Sequence, residues 1–255
     1  MALIDHMDGD RMVFRRPLIQ ARILRRPNRF IAEVDLGDGR VTIAHCPSTG
    51  SIGGIKLDGF PCLLSGPHDL AHRRTEYTVE AIAVVEPGEE GFQWIGVNQS
   101  EVNRFVRTAY MERQLEMIPA VARTSLIHSE PRVGSGRLDF LLDDDVYVEV
   151  KMPLQILQLD IPDREVRIPG HHGALRMVRQ IEDLMEAIPA GAEALMIMAF
   201  IYDCPPFRPL AGQSAESSTI ADTMERAHRW GLQRWQVNFQ LTPEWVRVDR
   251  VERLI

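Results

Sequence analysis

Residues 137–151 read RLDFLLDDDVYVEVK, and this stretch decides how the fold is interpreted. The apolar residues on either side of the Asp triplet at 143–145 predict two strands, because Asp favours turns and is depleted in strands. Side chains alternate between the two faces of a strand, so Glu149 and Lys151 point to the same face. A hairpin then brings Asp139 opposite that pair.

Two carboxylates and a lysine on one face predict a divalent-metal site. Hard cations such as Mg²⁺ take oxygen ligands and keep bound waters, and a bound metal lowers the pKa of a water and stabilises charge on a phosphate. We expect Asp139 and Glu149 to hold the metal, with the Val150 carbonyl as a further ligand, and Lys151 to orient the bound water or help to deprotonate it. This D…E-x-K spacing is used by the PD-(D/E)XK nuclease fold. A solvated charged face is the alternative interpretation of such a hairpin.

The neighbours of the pair favour the metal site over the solvated face. Glu149 and Lys151 stand within an apolar run, and the apolar residues 194–201 are expected to form a strand beside them. Lys and Glu are almost never fully buried unless they are paired or bind a metal.

Composition sets broader limits on the class of protein. The 255 residues suffice for one large or two modest domains, and 45% apolar with 25% charged residues is ordinary for a globular protein. Three widely spaced cysteines indicate no disulfide framework or structural zinc site. The acidic N-terminus lacks the apolar core of a secretory signal, and no apolar run is long enough to span a bilayer. We therefore expect a cytoplasmic protein with no membrane partner.

The charge distribution is uneven. The whole chain has a net charge of -7, which counts against tight non-specific binding of nucleic acid. Between residues 11 and 40, however, eight arginines stand against three carboxylates, a local charge of +5. A basic patch of this kind is typical of a nucleic-acid surface, and a solvated arginine-rich face is the alternative.

The first part of the chain predicts a small β-barrel. Short β-type runs occur at residues 18–24, 30–36, 41–45, 62–65, 77–85 and 94–97. The sequence Gly37-Asp38-Gly39 predicts a tight turn between the second and third. We expect an OB-like barrel over residues 1–97, a fold that often binds oligonucleotides or oligosaccharides. An SH3-like barrel fits the pattern equally well.

Residues 98–255 predict an α/β domain. Ser100 is expected to N-cap the first helix, with Glu101 in its first turn. Further elements are expected in this order: a strand at 124–128, the hairpin, an irregular stretch at 153–170, a helix at 173–187, a strand at 194–201, a helix at 218–230 and strands at 236–241 and 245–248. Helix, three strands, helix and strand form the core of the PD-(D/E)XK fold.

Several stretches resemble the sugar fermentation stimulation protein A (SfsA) family. They occur in family order and are Arg29-Phe30-Ile31-Ala32-Glu33-Val34, His45-Cys46-Pro47-Ser48-Thr49-Gly50-Ser51-Ile52, Gly96-Val97-Asn98 with Asn103-Arg104, Arg137 to Leu141 with Tyr147 to Lys151, and Phe207-Arg208-Pro209. The resemblance implies an OB-like domain followed by a nuclease-like domain, association with DNA and a link to sugar metabolism. It also implies that Asp139 and Glu149 bind a metal, Mg²⁺ or Mn²⁺, and that Lys151 is catalytic.

A further set of residues is predicted to contact nucleic acid. The turn at 47–50 presents backbone N–H groups and hydroxyls to an anion, or serves only as a structural turn. The predicted contacts are Arg22, Arg25, Arg26, Arg29, His45, Ser48, Thr49, Arg137 and Arg176. The chain departs from the family pattern after Lys151 and at residues 169–176, where the family's TERGxKHL signature is not recognisable.

Two classes of function therefore stand at this point. One is a DNA-binding protein with a metal-dependent nuclease-like site, and the other is a DNA-binding regulator without turnover, which the departures favour. A third interpretation has the barrel binding an oligosaccharide or a nucleotide. DNA is the expected partner, and a homodimer is a candidate for the oligomeric state.

Overall fold

The computed structural model describes residues 3–48, 50–133, 136–155, 157–159, 192–208 and 215–254, together with residues 161, 178, 181, 182, 184, 185 and 188. The described chain begins with a hairpin of two strands, β1 (Ile4–Asp8) and β2 (Arg11–Phe14). The sequence does not predict these strands, because β1 carries two Asp and a His in five residues and has no apolar alternation.

Five strands then close into a barrel. They are β3 (Ile19–Asn28), β4 (Ile31–Asp35), β5 (Val41–His45), β6 (Pro61–Ser65) and β7 (Tyr77–Ile82), and a short β8 (Ile95–Gly96) pairs with β7. The barrel closes because β5 pairs in parallel with β7, while β6 joins β7 to β3. This pairing order is that of an OB-like barrel, so the OB-like prediction is confirmed and the SH3-like alternative is wrong.

The predicted turn between the second and third barrel strands is also confirmed. Gly37 and Gly39 have φ values of +81° and +84°, and the backbone N–H of Gly37 donates to Asp35 Oδ1 at 2.8 Å. A side chain at either position would be strained, since only glycine adopts positive φ freely.

Two helices follow the barrel, α1 (Gln99–Met111) and α2 (Pro119–Ala122). The prediction that Ser100 caps α1 is wrong by two residues. Asn98 is the N-cap, and its Oδ1 accepts hydrogen bonds from the backbone N–H of Ser100 at 3.1 Å and from the Ser100 hydroxyl. Asn satisfies a free helix N–H as well as Ser does, and here the earlier residue has the extended backbone that a cap requires.

The remaining elements complete a large mixed sheet and its helices. They are β9 (Ile127–Ser129), β10 (Arg132–Val133), β11 (Gly136–Arg137), β12 (Phe140–Leu142), β13 (Val146–Lys151), β14 (Glu193–Phe200), α3 (Ala215–Trp230), β15 (Gln233–Leu241) and β16 (Trp245–Leu254). Eight of the strands pair in the order β1-β2-β16-β15-β14-β13-β12-β9, and β10 pairs with β11 separately. The three central strands, β13, β14 and β15, run parallel.

The apolar run at residues 194–201 forms most of β14, one of the central strands of the large sheet. Seven of the eight residues of β14 are buried, as expected for a strand covered on both faces. Helix α1 packs on this sheet with its buried face, and the rings of Phe105 and Phe239 lie 6.2 Å apart. The predicted strand 194–201 and the hairpin around 143–145 are therefore confirmed, whereas most of the predicted helix 173–187 and of the stretch 153–170 lies outside the described residues.

The first hairpin belongs to the large sheet rather than to the barrel. Strand β2 pairs with β16, with Trp245 opposite Val13 and Arg247 opposite Arg11. The division at residues 97 and 98 stays a prediction, but residues 4–14, which it assigns to the barrel, complete the edge of the other domain. No helix within the part of the chain that the structure describes is long and apolar enough to cross a membrane.

The barrel and the large sheet meet at a close backbone contact. The backbone N–H of Gly96 donates to the carbonyl of Ile201 at 2.8 Å, just beyond the end of β14. A Cβ added at Gly96 would lie 2.4 Å from Cβ of Ile201 and 2.6 Å from its Cγ2. Glycine is therefore needed here for close approach, because any side chain would push the two domains apart.

We predict that Gly96→Ala destabilises the protein by roughly 1–3 kcal/mol, the usual effect of forcing extra atoms into a packed contact. Urea unfolding measures the change. Gly50→Ala is the matched control, because a Cβ there meets nothing closer than 3.8 Å. Equal stabilities of the two variants would show that the domain junction tolerates a methyl group.

Candidate metal site and nucleic-acid surface

The alternation of β13 places the two predicted site residues of that strand on one face. Val146, Val148 and Val150 are buried, whereas Glu149 and Lys151 are half-buried on the opposite face. The Lys151 ammonium donates a hydrogen bond to Oε1 of Glu149. The side chains are only 20% and 14% exposed, respectively, so this ion pair lies in a recess rather than on the open surface.

Asp139 joins this pair from the neighbouring strand. It directly precedes β12, in which Phe140 is registered with Val148. Its Oδ2 accepts a hydrogen bond at 2.7 Å from the backbone N–H of Val150, the residue between Glu149 and Lys151. The three side chains predicted from the sequence are therefore together at one place on the sheet.

Burial and mutual charge perturb this cluster. Burial is the main effect and raises the pKa of the Glu149 carboxyl above its usual value. Lys151 opposes that shift, and the negative charge of Asp139 adds to it. Two carboxylates that repel one another in a half-buried recess are stabilised by a cation placed between them.

The donor set suits a hard divalent cation. Asp139 and Glu149 offer carboxylate oxygens, and Mg²⁺ commonly binds through one or two carboxylates while it keeps several waters. Within the described ranges no group of three or more His, Cys, Asp or Glu side chains is arranged to hold a metal. As far as the described residues go, backbone carbonyls, water and substrate oxygens are the groups available to complete the coordination of a metal here.

Helix α1 supplies two residues that the site analysis of the sequence missed. Asn103 donates from Nδ2 to Oδ1 of Asp139 at 2.6 Å, and Gln99 donates from Nε2 to the carbonyl of Met152 at 3.1 Å. Residues four apart lie on the same helix face, so the 99–103 spacing was a usable signal. The two amides therefore attach helix α1 to Asp139, before β12, and to Met152, directly after Lys151.

Comparison with known proteins assigns the family. The SfsA N-terminal OB domain matches residues 24–97, and the sugar fermentation stimulation protein RE domain matches residues 100–245. The chain belongs to the sugar fermentation stimulation protein (SfsA) family.

Relatives cover nearly the whole length of the chain. The sugar fermentation stimulation protein homologue of Methylobacterium nodulans is 31% identical over 94% of this chain and 97% of its own. The homologue of Rhodospirillum centenum is 31% identical over 95% and 99%. The structure of Pyrococcus furiosus SfsA in complex with Ca²⁺ aligns with a TM-score of 0.67 over 98% of this chain and 97% of that one, at 19% identity. That structural likeness concerns the fold.

The predicted nucleic-acid-binding arginines that the structure describes have protein partners in this member of the SfsA family. Three form ion pairs on the surface and one stacks on a ring: Arg22 with Glu86, Arg25 with Glu33, Arg137 with Glu130, and Arg29 over Phe30 at 4.6 Å. Exposed ion pairs of this kind are weak and exchange readily. These positions stay predicted contacts.

Arg26 has a structural role in addition. Its guanidinium donates to the carbonyl of Arg29 at 2.6 Å and to those of Ser48 and Gly50 at 3.3 Å each. It therefore fastens the loop after β5 to the turn between β3 and β4. Ser48 is 1% exposed, whereas His45 is half-buried and lines a large cavity. Thr49 and Arg176 lie outside the described residues.

A basic groove runs along this part of the barrel. It has a volume of about 580 Å³, and its charged lining residues are Arg25, Arg26, Arg29, Lys56 and Asp58. The loop that carries Lys56 is tied to the segment after β13 by a hydrogen bond of 2.8 Å from the backbone N–H of Gly53 to the carbonyl of Leu154. The loop that lines the groove therefore contacts the chain three residues after Lys151.

A further carboxylate, that of Glu80 in β7, is more deeply buried than the carboxylates of Asp139 and Glu149. It is 5% exposed and accepts hydrogen bonds from the Ser65 hydroxyl and, at 2.7 Å, from Asn98 Nδ2. Among the described residues no ion pair reaches it. Burial, only partly offset by these two hydrogen bonds, raises the pKa of Glu80 from 4.5 to about 7.

This burial predicts a pH-dependent stability. Because the folded-state pKa is raised, the folded protein binds the proton more tightly than the unfolded chain between pH 4.5 and 7. The contribution of Glu80 to the free energy of unfolding should then fall by about 3 kcal/mol as the pH rises through that window. Glu80→Gln keeps both hydrogen bonds without a charge, since the Ser65 hydroxyl can accept from the new amide, and it should remove this decline.

Urea unfolding at pH 5 and pH 8 measures the effect. The exposed Glu90→Gln is the matched control and should follow the pH profile of the parent protein. If Glu80→Gln also follows the parent profile, Glu80 does not titrate in this window.

Proposed function

We propose that this protein binds DNA along the basic groove of its barrel and hydrolyses phosphodiester bonds at a divalent-metal site formed by Asp139 and Glu149. The observation that carries the proposal is the convergence of two half-buried carboxylates and the Lys151 ammonium on one face of a central sheet. Burial of such a cluster costs free energy, and clusters of this kind are concentrated at functional sites of proteins.

The choice of metal follows from the donor set. Carboxylate oxygens with room for water suit Mg²⁺ or Mn²⁺. Pyrococcus furiosus SfsA has been solved in complex with Ca²⁺, another hard cation, and this supports the proposal that the present protein also binds a divalent cation. When bound, such a cation lowers the pKa of a water and stabilises the negative charge that develops on the phosphate.

The side chains have separate roles in this proposal. Lys151 has three N–H donors next to Glu149, and its ammonium orients the attacking water towards the phosphorus. Asn103 is a positioning residue, because its amide fixes the rotation of the Asp139 carboxylate without touching the substrate. Arg29 and Lys56 hold the phosphates of the strand in the groove.

We expect Glu149→Gln to lower Mg²⁺-dependent cleavage of DNA by at least about a hundredfold, since one of two carboxylate ligands becomes a neutral amide. The assay follows cleavage of plasmid DNA and of linear single strands with Mg²⁺, with Mn²⁺ and with a chelator. The chelator should abolish cleavage by the parent protein. Asp144→Asn is the matched control, because this carboxylate lies on the turn of the same hairpin and is 84% exposed. Undiminished cleavage by Glu149→Gln would remove the metal assignment.

The groove is tested separately by DNA binding in the presence of chelator. Each phosphate contact contributes about one unit to the slope of log K against log salt. The double variant Arg29→Gln, Lys56→Gln should therefore bind more weakly for every sequence, with a slope smaller by about 2. Arg229→Gln, an exposed arginine on α3, is the control. An unchanged slope would show that the DNA strand does not bind in this groove.

One observation favours a second function, a DNA-binding regulator without turnover that is linked to sugar metabolism. Both oxygens of Asp139 accept hydrogen bonds within the protein, and Glu149 is paired with Lys151. The cluster is thus internally satisfied in the absence of a metal. This function predicts salt-sensitive DNA binding by the parent protein and no cleavage with either cation.

A further inference from the structure

A second cavity lies between the barrel and the first turn of α1. Its volume is about 1020 Å³, at the upper end of the range for small-molecule sites. Its walls include the connection of residues 15–17 before β3, Phe30 and the start of β4, His45 at the end of β5, the connection of residues 65–75 before β7, and residues 98–101 at the start of α1. The residues of the metal site, Asp139, Glu149 and Lys151, are not among those that line it.

The deepest lining residues are polar, which is unusual for residues this buried. Their exposed fractions lie between 5% and 8%, and they are Ser65, Thr75, Thr78, Glu80 and Asn98. Buried polar groups of this kind destabilise a fold unless they are fully hydrogen-bonded. Glu80 has two neutral donors and no cation, so its carboxylate retains capacity to accept hydrogen bonds from a ligand.

The rim of the cavity is basic. Arg15, Arg16, Arg73 and Arg74 are all exposed and all line it. Within the described part of the chain, Arg16 and Arg74 have no carboxylate partner, Arg15 is 3.6 Å from Asp5, and Arg73 contacts the Thr78 hydroxyl at 3.4 Å.

Besides Glu80, two acidic residues line the cavity, and both already have hydrogen-bond or ion-pair partners. Asp69 accepts a hydrogen bond from the backbone N–H of Ala71, and Glu101 is paired with Arg104. The guanidinium groups of the rim are therefore available to an anionic ligand, and guanidinium is the side chain best suited to bidentate recognition of phosphate.

An aromatic ring completes the lining. Phe30 is 41% exposed, and the Arg29 guanidinium covers one part of its ring. A planar heterocycle stacks favourably on such a ring, and the contribution is tolerant of which base is present.

We propose that this cavity binds a nucleoside monophosphate, either free or as the phosphorylated terminal nucleotide of a strand. The phosphate lies among the rim arginines, the base stacks on Phe30, and the sugar hydroxyls donate to the Glu80 carboxylate. A terminal phosphate carries up to two charges, whereas a phosphodiester within a strand carries one, so a rim of four guanidinium groups favours the terminal form. The inference stands apart from the proposed cleavage, because binding here needs neither the metal nor Glu149.

Calorimetry on the full chain with chelator present tests it directly. Adenosine monophosphate should bind, adenosine should bind at least about tenfold more weakly, and Arg16→Gln, Arg74→Gln should lose at least the same factor for the nucleotide. The control Arg40→Gln, an exposed arginine on the same barrel paired with Asp38, should leave binding unchanged. Equal binding of adenosine and its monophosphate overturns the proposal.

The base contact needs a separate variant. Phe30→Ala should weaken the binding of adenosine monophosphate but leave the binding of inorganic phosphate and of ribose 5-phosphate unchanged. If ribose 5-phosphate binds as tightly as the nucleotide and Phe30→Ala changes neither, the ligand is a sugar phosphate and the nucleotide proposal is wrong.

Oligonucleotides with and without a terminal phosphate identify the source of the ligand. Tighter binding of the phosphorylated strand, lost in Arg16→Gln, Arg74→Gln, supports recognition of strand ends. Equal binding of the two strands, together with binding of the free nucleotide, supports a free nucleotide. Binding of none of these phosphates overturns the proposal even if Glu149→Gln abolishes cleavage, so the two proposals fail independently.

Discussion

The Asp139 carboxylate joins the three elements on which the candidate site depends. One of its oxygens accepts from the backbone N–H of Val150 in β13, and the other accepts from the amide of Asn103 in α1. A backbone donor that would otherwise be unsatisfied beyond the last pair of the β12–β13 ladder is thereby satisfied by a side chain. The hairpin, the helix and the acidic cluster consequently form one unit, because loss of this carboxylate leaves two donors without a partner.

Two carboxylates are held in recesses of the molecule, whereas most arginines of the barrel are exposed. The two are Glu149 and, more deeply buried, Glu80. A chain with a net charge of -7 can therefore still present a positive surface to a polynucleotide. Association through such a surface is sensitive to salt, since local rather than total charge attracts the phosphates.

The sequence predicted the parts of the fold that depend on local pattern. The Asp triplet fixed the hairpin because two of its residues, Asp143 and Asp144, adopt positive φ, which Asp tolerates better than apolar residues do. Alternation along β13 predicted the shared face of Glu149 and Lys151. The barrel was predictable from its turns, but the choice between OB-like and SH3-like forms depends on the parallel pairing of β5 with β7, which no local pattern encodes.

What the sequence did not predict depends on contacts between distant segments. The ion pair of Arg22 with Glu86 joins residues 64 positions apart, and the Asn103–Asp139 hydrogen bond joins residues 36 apart. The cavity rim combines arginines from two connections that have no common motif. Side-chain partners of this kind follow from the packing of distant segments within each domain rather than from any single stretch.

The pairing of β2 with β16 constrains the order in which the protein is assembled during synthesis. The barrel strands lie between residues 19 and 96, so the ribosome completes this unit early and it can fold while the rest is made. In the large sheet, by contrast, the first hairpin has no partner strand until residues 245–247 have been synthesised and can pair with it. The barrel is in effect an insertion within the second domain, and a fragment cut at their apparent border would leave β16 as an open strand edge prone to self-association.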